Sequence, residues 1–95
     1  MQTYMILRRS GFASPADLEQ AAARSTKAGD EMPDDIRWIR SYVLDEDQGV
    51  GTACVYQASS PEAIRKHAQT AGLPVDEIIP VADTVIVRED PQPAA

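Results

Sequence analysis

The chain reads as one α+β domain in the order β-α-β-β-α-β. Three observations predict this. Two Ser-Pro dipeptides, Ser14-Pro15 and Ser60-Pro61, each open a stretch whose apolar residues recur at helical spacing. Between those stretches, residues 36–57 form two alternating segments around the acidic turn Asp45-Glu46-Asp47-Gln48-Gly49. Apolar runs rich in strand formers stand on either side of the set, at 3–9 and 78–87.

Each element has a local justification. Thr3–Arg9 is a short strand run that Gly11 ends. Its basic residues follow the apolar segment, the reverse of a secretory signal, so a strand is expected and not a leader. Ser14 can cap a helix, Pro15 suits the first helical position, and Asp17 follows in the first turn. Leu18, Ala21, Ala22 and Ser25 then share one face, and Gly29 closes the helix. Residues 30–35 are a polar connector. Ile36–Leu44 and Val50–Gln57 alternate as strands, and Gly49 can take the positive φ of a hairpin turn. Ser60-Pro61 repeats the first helix start, while Ser59 and Glu62 have capping-box spacing. Ala63, Ile64, Ala68 and Ala71 supply the apolar face, and Gly72 stops the helix. Ile78–Val87 is the last strand, and Pro80 predicts an edge position or a bulge there. Residues 1–89 form a single domain. Asp90–Ala95 is expected to be a disordered tail.

This order is the ferredoxin-like arrangement, an antiparallel sheet with both helices on one face. Period-two alternation distributes the strand residues. Ile39, Val43, Ala53 and Val55 are expected to face the helices. Trp38, Arg40, Tyr42, Thr52, Cys54 and Tyr56 are expected to face away, joined by Tyr4, Ile6 and Arg8. Such an aromatic face is poorly suited to water, which predicts a two-fold homodimer. Ligand-binding candidates on it are Arg40, Tyr42, Cys54, Tyr56, Trp38 and Tyr4.

Composition narrows the function. The chain has 95 residues and a net charge of -6. Phosphate binding relies on clustered Lys and Arg, so a nucleic-acid partner is not expected. Arg8-Arg9 and Arg65-Lys66 read as solvated flanking charges. The strand run Gln48–Val55 lacks the basic and aromatic residues of an RNA-recognition sheet. No apolar run approaches the roughly 20 residues that span a bilayer, so no membrane partner is expected. One cysteine, Cys54, fits a reducing compartment, and a cytoplasmic location is expected. His67 is the single histidine, read as an exposed helix residue. The acidic turn lacks calcium-loop spacing.

Three longer runs carry a family resemblance. They are Trp38–Val43, the stretch Ala53–Arg65 (ACVYQASSPEAIR), and Gly72–Ile78 (GLPVDEI). Together they resemble a family of small bacterial ferredoxin-like dimers that includes a nickel-binding protein. The resemblance covers roughly residues 36–79 and a similar first strand. It implies the same fold, a homodimer, and nickel or another metal as cofactor. The family pattern carries histidine where this chain has Arg40. A guanidinium offers no lone pair to a metal. Cys54 is then the best metal candidate left, and Arg40 points instead to a small anionic ligand, to an acidic partner side chain, or to a structural pair stacked on Tyr and Trp across a dimer interface.

Three readings of function follow. The first is a non-enzymatic binding protein, holding a metal or small ligand at the sheet face of a homodimer. The second is a small dimeric enzyme acting on an organic substrate between sheet and helices. The third is an interaction module with no small ligand. No nucleophile elbow or paired acid and base marks the chain as an enzyme.

Overall fold

The computed structural model describes residues 1–91. Its elements are β1 (Gln2–Phe12), α1 (Pro15–Asp30), β2 (Ile36–Glu46), β3 (Gly49–Ala58), α2 (Pro61–Ala71) and β4 (Glu77–Pro80). All strand pairs are antiparallel, in the order β2-β3-β1-β4. The architecture is ferredoxin-like, with both helices on one face of the sheet.

Local chemistry explains the helix ends. The Ser14 hydroxyl accepts from the Asp17 amide at 3.2 Å, and Ser60 accepts from Ala63 at the same distance. Both serines have extended φ/ψ, and a proline follows each in the first turn. Ser59 does not form the expected capping box. Its hydroxyl donates to Asp35 at 2.8 Å and ties the α2 entry to the α1–β2 connector. Gly72 ends α2 in the left-handed conformation, φ 69°. Gly29 does not end α1, which runs one residue further to an αR cap at Glu31.

The core lies between sheet and helices. Tyr4 and Ile6 from β1, Cys54, Tyr56 and Ala58 from β3, Ile36 and Ile64 form one buried cluster. The expected face assignment is therefore reversed on β3. Thr52, Cys54 and Tyr56 point at the helices, while Ala53 and Val55 point away. Tyr4, Ile6 and Arg8 do share their face with Cys54 and Tyr56, since Tyr4 pairs with Tyr56 and Ile6 with Cys54. That face is the buried one. The small helix residues Ala21, Ser25, Ala28, Ala68 and Ala71 leave room for large strand side chains beneath them.

Strand β2 departs from alternation altogether. Trp38 pairs with Tyr56 and Arg40 with Val55, so Ile39 is an extra residue in a bulge. Trp38 thus shares the helix side with Tyr56, and Ser41 and Val43 follow it through their partners Cys54 and Thr52. Arg40 and Tyr42 go to the outer face. A strict period of two puts Trp38, Arg40 and Tyr42 together, and the bulge separates them.

The last strand is four residues long, not ten. The Val81 amide donates once more to the Thr3 carbonyl, and the chain then leaves the sheet. It reaches the outer side of β2, where the Asp90 carboxylate accepts from Arg40 and from Tyr42 at 2.5 and 2.7 Å. Asp90 was expected to open a disordered tail. Residues 92–95 of that tail lie outside the described residues. No helix among the described residues is long and apolar enough to cross a membrane.

Candidate functional site

The predicted candidates do not converge. Tyr4 and Cys54 lie in the core, and the Cys54 thiol donates to the Thr52 hydroxyl at 3.3 Å. Arg40 and Tyr42 sit on the opposite face, clasping Asp90. The Tyr42 hydroxyl and the negative Asp90 raise the proton affinity of the Arg40 guanidinium further. Arg40, Tyr42 and Cys54 therefore do not share one surface. Trp38 and Tyr56 do remain together. Their rings stack at 6.0 Å with an interplanar angle of 6°.

What gathers around Tyr56 is a buried polar cluster. The Tyr56 hydroxyl shares a hydrogen bond with Ser25 of α1 at 3.1 Å. His67 of α2 meets the Tyr56 ring edge-on at 5.5 Å, and its Nε2 donates to the Ser25 carbonyl at 3.0 Å. His67 is 1% exposed, so the reading of it as a surface residue is corrected. Its spacing from Ile64 and Ala71 places it on the buried stripe of α2. Burial lowers its proton affinity, and the positive Arg8 lowers it further, against the Ser25 hydrogen bond. Burial raises the Tyr56 phenol above its ordinary range, so it stays protonated, although Ser25 and Arg8 pull the other way.

Arg8 completes the cluster. The sequence predicts a solvated flanking charge here, yet Arg8 is 1% exposed and is the largest fully buried side chain. Its neighbour Arg9 is the solvated one of the pair, bonded to Glu77. The Arg8 guanidinium carbon stands 5.9 Å from the Tyr56 ring centroid, a cation–π contact. Nε and Nη2 have no hydrogen-bond partner. Among the described residues the ion pairs are Arg9–Glu77 and Arg40–Asp90, and neither reaches Arg8. A guanidinium cannot shed its charge as a buried lysine can. An uncompensated buried cation costs several kcal/mol, of order 3–5, when a partner is lost.

A cleft of about 350 Å³ opens above Arg8, between α1 and the sheet. Leu18, Ala22, Phe12 and Val43 make its lining largely apolar, and Ser25, Ser41 and Thr52 are the hydroxyl residues of that lining. Trp38 stands at its edge, its indole N–H donating to Ser41 at 2.8 Å. Glu19 lies on the rim, exposed. Position 8 falls immediately before a register shift in β1, between Arg8 and Phe12, where Ser10 takes a positive φ of 46°. A second hollow beyond Trp38 and Ser25, bordered by Asp30 and Arg37, has no buried unpaired group.

The nickel implied by the resemblance does not fit the donors of one chain. Among the described residues no three His, Cys, Asp or Glu come together. Imidazole is the preferred nickel donor, and the sole histidine is sealed in the core with Nε2 committed to Ser25. Cys54 is buried on β3 with its thiol on Thr52.

Comparison with known proteins agrees with the fold. The crystal structure of SCO4226 from Streptomyces coelicolor A3(2) superposes with a TM-score of 0.70, covering 87% of this chain and 99% of that one at 21% identity. No curated protein matches the chain. A family profile described as nickel responsive protein SCO4226-like matches residues 4–81, most of the domain from β1 through β4. The chain belongs to that SCO4226-like family.

Proposed function

We propose that the protein is a non-enzymatic binding protein for a small anion, taken up in the cleft between α1 and the sheet. The buried Arg8, which lines the cleft and keeps two unpaired nitrogens, carries this reading. A fold that retains an uncompensated cation in its core has a stability cost, and a ligand anion offsets it. No activated nucleophile or free acid-base pair lines the cleft, which favours binding over catalysis.

Trp38, the one tryptophan of the chain, supplies the readout. Titration with a panel of small anions at fixed ionic strength should change Trp38 fluorescence and raise the melting temperature. If no anion does either, the reading fails.

Nickel is the second reading, supported by the family's description. It goes with the homodimer, since the described residues of one chain lack a donor cluster. Elemental analysis after nickel titration separates the two. Our reading predicts no stoichiometric uptake, and tight uptake would favour nickel.

A further inference from the structure

We propose that the ligand of this cleft is a small monocarboxylate with an apolar, aromatic-sized body, gripped side-on by Arg8. The inference rests on the anion-binding reading above and names its ligand class.

The guanidinium geometry selects the head group. Nε and Nη2 are the two nitrogens of one guanidinium edge, and their N–H bonds run parallel. That edge matches the two oxygens of a carboxylate, the bidentate pairing that arginine favours. The unpaired atoms are the members of this edge. A free phosphate has more charge than one cation neutralises, and the cleft lining holds no second Lys or Arg.

The walls select the body. Phe12, Leu18, Ala22 and Val43 offer dispersion and desolvation, not hydrogen bonds. The volume of about 350 Å³ lies at the low end of the roughly 300–1,000 Å³ of small-molecule pockets. This suits a ring with a short acidic arm. Ser41 and Thr52 also line the cleft, and their hydroxyls, which accept from Trp38 and Cys54, each keep a proton for the carboxylate. Water reaches neither Nε nor Nη2 in the free protein. Engagement therefore includes a side-chain shift in the lining.

Glu19 is the carboxylate of the chain itself that borders the cleft. It is exposed on α1 and unbonded to Arg8, so it competes with the ligand for that edge only by leaving water.

The test uses the full chain and four probes: phenylacetate, phenylacetamide, acetate and inorganic phosphate. Binding is followed by Trp38 fluorescence and calorimetry at constant ionic strength. Phenylacetate is expected to bind at least tenfold more tightly than each of the other three. In R8M, checked for folding by circular dichroism, that preference over the amide disappears. E19Q leaves the preference in place and tightens phenylacetate modestly. The amide arm needs no variant, so a misfolded R8M does not weaken the test. Phosphate or acetate binding as tightly as phenylacetate overturns the inference while leaving an anion site. Equal binding of acid and amide, or no response to any probe, overturns both the inference and the anion-binding reading.

Discussion

At the residue scale, Arg8 and His67 are two polar side chains sealed between sheet and helices. Both are buried polar residues in an otherwise apolar layer, and both keep an unsatisfied nitrogen. For Arg8 this means that its contribution to stability is negative in the free protein. Arg8→Met keeps the apolar stem and removes the stranded charge. Chemical denaturation should show the variant more stable by about 1–3 kcal/mol, together with the loss of carboxylate binding. For His67 the sign follows from burial, which lowers its proton affinity in the folded state. As pH falls through the ordinary value of about 6.5 the unfolded chain takes up the proton first. The histidine's contribution is thus intact above that pH and is lost progressively below it, down to the lowered folded value. Denaturation of wild type and His67→Gln at pH 7.5 and pH 5 checks this. The wild type should lose more stability than the variant between the two. The alternation Tyr4-Ile6-Arg8 already joined Arg8 to two core residues, which is a signal for its burial. The reading of Arg8-Arg9 as a charge pair obscured it, because only one of two consecutive strand residues can face water.

At the element scale, what was legible was what is determined locally. Ser-Pro caps, the Gly72 stop and the Asp47-Gln48 hairpin tip are fixed by residues within one turn of each other. Ser60→Ala should therefore cost about 1 kcal/mol in equilibrium unfolding. The β2 bulge was illegible because Ile39 looks like any strand residue, and its extra place shows only against β3. The side of the sheet was misread for a related reason. Val55 and Ala53 are plainly apolar, whereas Thr52 and Tyr56 carry hydroxyls. Helices faced with alanine and Ser25, however, accept tyrosine and arginine beneath them. Deleting Ile39 regularises the ladder without changing any face, whereas deleting Ser41 reverses every residue from Tyr42 onward. Melting curves should show the first variant folded within a few degrees of wild type and the second unfolded.

At the scale of the whole molecule, the two sheet faces have separate roles. The helix side holds the core and the cleft. The outer side shows Met5, Leu7, Val55 and Tyr42, crossed by a chain that Asp90 fastens to Arg40 and Tyr42. Val85, Ile86 and Val87 of that segment are 85%, 75% and 77% exposed. This exposed apolar surface supports the proposed homodimer. Light scattering is expected to give twice the monomer mass, and a stable monomer would contradict it. Arg40, where the family resemblance puts histidine, thus belongs to the outer clasp and not to the ligand cleft.

The central claim is that a carboxylate occupies the free edge of Arg8. Nitrogen-15 NMR of the Arg8 Nε–H during phenylacetate titration reads that edge atom by atom. A downfield shift that saturates with the calorimetric binding curve is expected. An Arg8 Nε–H resonance that stays in place through the titration would contradict it.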